Sequence, residues 1–168
     1  MIDNSQPVTV RGMTLDDVPA VMEIDRLSLP TPWSERSFHY ELTENPASCL
    51  LLAEREGDVP QIVGYIGFWM LIDEAHISTI AVHPDCRRQG IGGMLVREAI
   101  RRAMARGAEL ATLEVRQSNQ AAISLYQKHD FGIVGRRDGY YKDNQEDAIL
   151  MTRRDLREKV PAADGGER

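Results

Sequence analysis

The segment that begins at Ile80 most constrains what this chain can fold into. The apolar run Ile80-Ala81-Val82 is followed by Arg87-Arg88-Gln89-Gly90-Ile91-Gly92-Gly93 and then by an amphipathic pattern of helical period. Glycine allows the backbone to come close to a ligand. The first turn of a helix leaves N–H groups unpaired and carries partial positive charge. The segment therefore predicts a strand, a basic glycine loop and a helix start that together hold a phosphate or pyrophosphate.

Two common phosphate-binding motifs do not fit this loop. A Walker A loop requires Gly-Lys followed by Ser or Thr, and the chain has no such sequence. The dinucleotide fingerprint has its third glycine where this chain has Leu95. A nucleotide-binding module is therefore disfavoured, and a glycine loop alone does not identify a function.

Hydrophobic periodicity and turn residues predict an α/β chain with the order β-α-α-β-β-β-α-β-α-β-β, in which helices pack on the faces of a mixed sheet. The predicted strands are 8–11, 50–53, 62–72, 75–82, 110–116, 131–138 and 146–152. The predicted helices are 15–28, a second one between Ser34 and Asn45, then 91–106 and 119–129. We expect one domain over residues 8–156 and a flexible tail over residues 157–168.

The charge balance limits the class of partner. The formal net charge is -6 and the pI is about 5.2, which disfavours a general nucleic-acid binder because such proteins present basic surfaces. No apolar run is as long as a membrane span, and the first residues do not resemble a secretory signal. We therefore expect a cytoplasmic protein that binds neither nucleic acid nor membrane.

Cysteine and histidine give no sign of a metal site. Cys49 and Cys86 have neither metal-binding nor redox spacing, which favours a reducing compartment. The four histidines form no HxxxH or HExxH pattern, so we expect no metal. Cys86 precedes the glycine loop and has two interpretations, a nucleophile or a small spacer residue, of which the second is favoured.

Two further segments carry candidate chemistry. Glu114 alternates with Leu113 and Val115 on a predicted strand, so it faces away from them. It is either a catalytic carboxylate or a surface glutamate paired with a neighbouring arginine. In the next helix, which Ser118 or Asn119 can cap, Tyr126 is either functional or a half-buried packing aromatic.

Several motifs together resemble the GNAT acetyltransferases over roughly residues 8–152. The motifs are Ile80-Ala81-Val82-His83-Pro84, Arg88-Gln89-Gly90-Ile91-Gly92, Leu113-Glu114-Val115-Arg116, Ser118-Asn119, Leu125-Tyr126, Pro32-Trp33-Ser34 and Tyr140-Tyr141 followed by Glu146-Asp147-Ala148. The glycine loop is typical of the whole superfamily, whereas the Glu114 run and the Pro32 segment are more specific. Within the family the chain is most similar to the ribosomal-protein-alanine N-acetyltransferases.

The resemblance implies the GNAT fold, a mixed, mostly antiparallel sheet whose central parallel strands splay apart, with helices on both faces. It implies acetyl-CoA as co-substrate and no metal. Glu114 would be the general base and Tyr126 the general acid. The cofactor-binding residues would be Ile80, Ala81, Val82, Arg88, Gln89, Gly90, Ile91, Gly92, Gly93 and Asn119.

The resemblance also implies an acceptor, the N-terminal alanine of ribosomal protein S18. Trp33, Tyr140 and Tyr141 would line the peptide groove, although each is equally a core or rim aromatic by its sequence context. Acetylation of a small amine or a lysine side chain, and a non-catalytic acyl-CoA-binding module, remain alternatives. Two positions depart from the family pattern: Asp130 replaces a usual glycine, and Gly93 replaces a residue that is often larger or basic.

Overall fold

The computed structural model describes residues 3–157, which form seven strands and four α-helices in the predicted order. The strands are β1 (Val8–Gly12), β2 (Ser48–Arg55), β3 (Gln61–Leu71), β4 (Glu74–Val82), β5 (Leu110–Arg116), β6 (Gly132–Arg137) and β7 (Ala148–Arg153). The helices are α1 (Val18–Ser28), α2 (Glu35–Thr43), α3 (Ile91–Ala105) and α4 (Gln120–Lys128).

The strands make one sheet in the order β1-β2-β3-β4-β5-β7-β6. All neighbouring pairs are antiparallel except β4 and β5. The parallel pair is short, since it joins only Glu74 to Leu110, Ala75 to Ala111 and His76 to Thr112. Beyond His76 the two strands separate, so the predicted splayed pair at the centre of a mostly antiparallel sheet is confirmed.

Helices cover both faces of the sheet, as predicted. The larger core cluster joins α3 and α4 to β5 and includes Leu95, Leu113 and Tyr126. The smaller cluster lies under α1 and α2 and includes Phe38 and Tyr65. Each face is therefore sealed by its own pair of helices.

The helix ends follow the predicted signals. Ser34 Oγ accepts a hydrogen bond from Ser37 N at 3.1 Å and begins α2. Gly107 follows the last turn of α3 with φ +96°, a conformation that glycine adopts without a steric penalty. Asp130 has φ 66°, which aspartate tolerates better than most residues. The single domain stays a prediction, and most of the predicted flexible tail lies outside the described residues.

A bulge in β4 separates its two halves. Phe68 pairs with Ile77 and Gly67 with Thr79, so Ser78 is the extra residue. Ala75 and Ile77 belong to the larger core cluster, whereas Ala81 belongs to the smaller one. The bulge therefore changes which face the later residues of β4 occupy, close to where β4 leaves β5.

Candidate active site

A cleft of about 860 Å³ opens where β4 separates from β5. It runs from the end of β4 along the start of α3 to α4. It brings together nine of the ten predicted cofactor-binding residues: Ile80, Ala81, Val82, Arg88, Gly90, Ile91, Gly92, Gly93 and Asn119. The tenth, Gln89, points its side chain elsewhere, because its Oε1 accepts a hydrogen bond from Arg55 at 2.8 Å.

The free edge of β4 offers main-chain groups to this cleft. His83 N donates to Val63 O on β3 at 2.8 Å. Because backbone groups of successive strand residues point to opposite edges, Val82 and Ile80 direct their N–H and C=O groups away from β3. Past His76 no β5 residue pairs with β4. Val82 O already accepts hydrogen bonds from Ser28 Oγ at 3.4 Å and Arg87 Nε at 3.3 Å. The N–H groups of Val82 and Ile80 and the carbonyl of Ile80 can therefore bind an extended ligand in the place of a strand.

The glycine loop has two residues in the left-handed conformation, separated by Gln89, before α3 begins. Arg88 has φ 61° and Gly90, the N-cap of α3, has φ 79°. At Gly92 a Cβ would lie 3.1 Å from Leu125 Cδ2 on α4, so glycine allows the two helices to approach closely. Unpaired N–H groups and two arginines surround the helix start, which suits a pyrophosphate.

Asn119 caps α4 with one end of its side chain. Its Oδ1 accepts a hydrogen bond from Ala122 N at 3.1 Å. Within residues 3–157 its Nδ2 donates no hydrogen bond. The amide nitrogen is therefore the part of this side chain that can contact a ligand in the cleft.

Glu114 is paired with a histidine. His76 Nε2 lies 2.5 Å from Glu114 Oε2, and both side chains are largely buried. The alternative of an arginine-paired surface glutamate is therefore wrong. His76 also packs against Trp69, with ring centroids 5.6 Å apart, and Trp69 Nε1 donates to Glu41 Oε2 on α2 at 2.8 Å. These contacts hold the Glu114 carboxylate at the point where β4 and β5 separate.

Tyr126 lies on the other face of β5. Only 4% of it is exposed, and it packs in the same core cluster as Leu113 and Val115, which face away from Glu114. Burial raises the pKa of the Tyr126 phenol, and nearby Tyr141 contributes. The structure does not bring Tyr126 and Glu114 into direct contact, and neither side chain lines the cleft along β4.

The loop between β6 and β7 is ordered by Arg116. Its guanidinium pairs with Asp143 at 2.9 Å and Glu146 at 3.4 Å, and its Cζ lies 4.0 Å from the centre of the Tyr141 ring. Burial raises the pKa of Tyr141 to about 12, with Arg116 opposing the shift and Glu114 among the charges that add to it. Tyr141 is thus near the Glu114 site, whereas Tyr140 is 41% exposed at the rim.

Trp33 is held by a buried carboxylate. Asp25 accepts a hydrogen bond from Trp33 N at 2.6 Å and another from the Tyr65 hydroxyl. The Trp33 ring packs against Phe38, with centroids 5.3 Å apart. Trp33 is therefore both a packing aromatic and part of a fixed loop between α1 and α2.

The other candidate chemistries find no support. Cys86 is completely buried, which argues against a nucleophile. Among residues 3–157 no group of three or more His, Cys, Asp or Glu could hold a metal ion. In the same part of the chain, every helix is too short or too polar to cross a membrane.

Sequence reasoning missed His76, Arg55 and Asp25. Each of these side chains bonds to a partner that is distant in the sequence or lies across a loop. Glu114, for example, is 38 residues from its partner His76. The one local signal was a histidine at an alternate position of an apolar strand, Ala75-His76-Ile77. That pattern alone does not distinguish a site residue from a satisfied histidine.

The fold and the site define the class of protein. Residues 18–131 match the model of the acetyltransferase (GNAT) family, so the chain belongs to this family. It is therefore an acetyl-CoA-dependent N-acetyltransferase.

Its relatives include ribosomal-protein acetyltransferases. A Bacillus subtilis protein, whose assignment as a [ribosomal protein bS18]-alanine N-acetyltransferase is provisional, is 41% identical over 142 residues, 84% of this chain and 92% of the relative. The enzyme of that name from Escherichia coli strain K12 is 34% identical over 154 residues, 85% of this chain and 95% of the relative. The crystal structure of the ribosomal-protein-S18-alanine N-acetyltransferase from Escherichia coli has a TM-score of 0.79 at 30% identity, covering 96% of this chain and all of that one.

Proposed function

We propose that this enzyme transfers the acetyl group of acetyl-CoA to the α-amine of a protein N-terminus, and that its acceptor is the N-terminal alanine of ribosomal protein S18. The names of the relatives support this acceptor. The observation that carries the proposed site is the gap between β4 and β5, with the cleft along β4 and Glu114 on β5. Ribosomal proteins are made in the cytoplasm, which is the compartment we propose.

The donor fits the cleft by size and by chemistry. A volume of about 860 Å³ lies within the usual range for small-molecule sites. The main chain of Arg88–Gly93 would hold the pyrophosphate, and Ile80 and Val82 would pair with the amide groups of the pantetheine arm. Asn119 would add a side-chain donor. Gly93 lies against His129, because a Cβ at position 93 would be 3.1 Å from His129 Nε2.

Glu114 would be the general base. The α-ammonium of a peptide has a pKa of about 7.7–8.0, so much of the acceptor is protonated at neutral pH and cannot attack. The carboxylate attracts this cation and takes its proton, directly or through water, so that the neutral nitrogen can attack the thioester carbon. The nitrogen then loses a second proton to solvent as the tetrahedral intermediate collapses to the amide and the thiolate. Such assistance is typically worth about 10²–10⁴-fold in rate.

His76 would be a positioning residue for that carboxylate. A His76→Ala variant is expected to lower kcat by about tenfold while the KM for acetyl-CoA stays within about twofold, because only the orientation of Glu114 changes. Steady-state kinetics with a peptide acceptor measure both constants. His76→Gln keeps a hydrogen-bond donor and should recover part of the loss.

The matched control for this prediction is His39→Ala. His39 lies on α2, where its contact is with Glu35 at 3.8 Å, and its loss should leave kcat unchanged. Equal kcat in His76→Ala and the wild-type enzyme would remove His76 from the mechanism.

Tyr126 would assist the departing thiolate. A thiolate of this kind has a pKa near 8.5, taking cysteine as a guide, so full proton transfer from a phenol of raised pKa is uphill. Tyr126 therefore acts mainly by donating a hydrogen bond as the C–S bond breaks, and the thiolate takes its final proton from solvent. An amide N–H of the β4 edge would polarise the thioester carbonyl.

The acceptor peptide would enter on the side of α1 and α2. Trp33 on its anchored loop and Tyr140 and Tyr141 on the Arg116-ordered loop would line the groove. A groove with aromatic walls and the Glu114 carboxylate at its end would fit an acceptor whose first residue has a short, uncharged side chain and a positively charged α-ammonium group.

A panel of peptides tests the acceptor class. Four peptides are incubated with enzyme and acetyl-CoA: the S18 N-terminal sequence, the same sequence with a blocked α-amine, one with a different first residue, and a blocked peptide with an internal lysine. We expect acetylation of the first peptide, fastest of the four by mass spectrometry, and none of either blocked peptide. Modification of the lysine peptide would favour a side-chain acetyltransferase, and no CoA release with any peptide would favour a non-catalytic module.

A further inference from the structure

A buried arginine lies behind the glycine loop. Arg55 is the last residue of β2 and is 4% exposed. Its Nη2 donates to Gln89 Oε1 at 2.8 Å, and its Nη1 donates to the carbonyl oxygen of Gln6 at 3.1 Å. Its Nε is buried and has no hydrogen-bond partner in the described part of the chain. Burying a cationic group with an unmet donor is costly, so the arrangement calls for an explanation.

The charge of Arg55 is also uncompensated at close range. Among residues 3–157 no carboxylate oxygen lies within 4.0 Å of its guanidinium nitrogens. Arg11 on the neighbouring strand β1 is the opposite case, because it pairs with Asp17 and with Glu54, each at 2.8 Å. Exposed Asp3 interacts electrostatically with Arg55 from beyond that distance, and an anion bound at the loop would be a second partner for the charge.

The loop needs outside contacts to keep its shape. Gln89 lies between Arg88 and Gly90, both of which have positive φ. A left-handed conformation is unfavourable for an arginine, so such a segment persists only where its surroundings hold it. In this loop the contact from Gln89 to Arg55 ties the segment to the end of β2, which is paired on both sides in the sheet.

We propose that Arg55 is a positioning residue for donor binding: through Gln89 it holds the glycine loop in the conformation that receives the pyrophosphate of acetyl-CoA, and its charge favours that anion. The inference rests on the proposed function and adds a residue that acts from behind the loop. Arg55 does not touch the donor. A purely structural role, anchoring the start of the chain through Gln6, would affect every substrate equally.

Two donors separate these roles. S-acetyl-pantetheine carries the same thioester as acetyl-CoA and has no phosphate group, so it cannot use the loop. In Gln89→Ala and in Arg55→Met we expect kcat/KM for acetyl-CoA to fall about tenfold, through KM, as for the loss of a hydrogen bond to a charged group. With S-acetyl-pantetheine, kcat/KM should change by less than about twofold. The double variant should lose little more than Arg55→Met alone, because the contact with Gln89 is already absent from that variant.

The control variant is Arg11→Met, which removes a paired arginine from the adjacent strand. It should lower the thermal midpoint and leave the ratio of the two kcat/KM values as in the wild type. If Arg55→Met does not fold, Gln89→Ala carries the test, since Gln89 is exposed. An unchanged KM for acetyl-CoA in Gln89→Ala, or an equal loss with both donors, overturns the proposal.

The wild-type enzyme distinguishes this inference from the proposed function. If it uses both donors equally well, the loop does not bind pyrophosphate, and the proposed donor site fails together with the role of Arg55. If it prefers acetyl-CoA and both variants keep that preference, the donor site stands and only the role of Arg55 is overturned.

Discussion

Glu114→Gln is expected to lower kcat/KM for a peptide acceptor by about 10²–10⁴-fold at pH 7, because the amide keeps the shape of the carboxylate but cannot accept the ammonium proton. The deficit should narrow as the pH rises through about 7.7–8.0, where the α-amine loses its proton to solvent without help. Initial rates of CoA release between pH 6.5 and about 9 measure both effects. Binding of acetyl-CoA, followed by calorimetry, should be nearly unchanged, since Glu114 does not line the cleft.

The matched control is Glu74→Gln. Glu74 begins β4 and pairs with Leu110 across the parallel ladder, on the strand that also carries His76. We expect its pH–rate profile to match that of the wild type. A Glu114→Gln profile that also matches the wild type would show that another group, or water alone, takes the proton.

Tyr126→Phe is expected to lower kcat by about 10²-fold, as for the removal of one preorganised hydrogen-bond donor to a developing anion. The ring should keep its place, because it packs against Phe131 with centroids 5.5 Å apart and its hydroxyl makes no hydrogen bond within residues 3–157. The KM for acetyl-CoA should therefore stay within about twofold. Because the phenol stays protonated throughout the neutral range, the deficit should not depend on pH between about 6.5 and 9.

Two observations check this second prediction. Tyr40→Phe, at an exposed position of α2, should have the kcat of the wild type. The thermal midpoints of the three proteins should agree closely. Wild-type kcat in Tyr126→Phe would exclude this hydroxyl from leaving-group assistance, and a lowered midpoint would indicate that the loss is one of packing.

Local patterns predicted much of the fold because they report local physics. Alternation placed Glu114 opposite Leu113 and Val115, and the burial of those two residues in the larger core confirms it. The left-handed position at Gly107 and the cap at Ser34 were likewise predictable from a few adjacent residues. The splayed strands were implied by the family resemblance rather than by any pattern in the strands themselves.

The residues that escaped prediction depend on pairing between distant segments. His76 meets Glu114 only because β4 and β5 lie side by side, with His76 in register with Thr112. Arg55 meets Gln89, 34 residues away, because β2 ends behind the glycine loop. The bulge at Ser78 changes the face of the later β4 residues, which simple alternation does not anticipate. Tyr126 is more deeply buried than either interpretation of its helix position required.

The central claim is tested most directly by the intact mass of purified ribosomal protein S18 after incubation with this enzyme and acetyl-CoA. Fragment ions then locate any modification along the S18 chain. The account predicts a single added acetyl group on the N-terminal alanine, formed by the wild-type enzyme and almost absent with Glu114→Gln over the same time. Unmodified S18, or acetyl groups found only on lysine side chains, would contradict it.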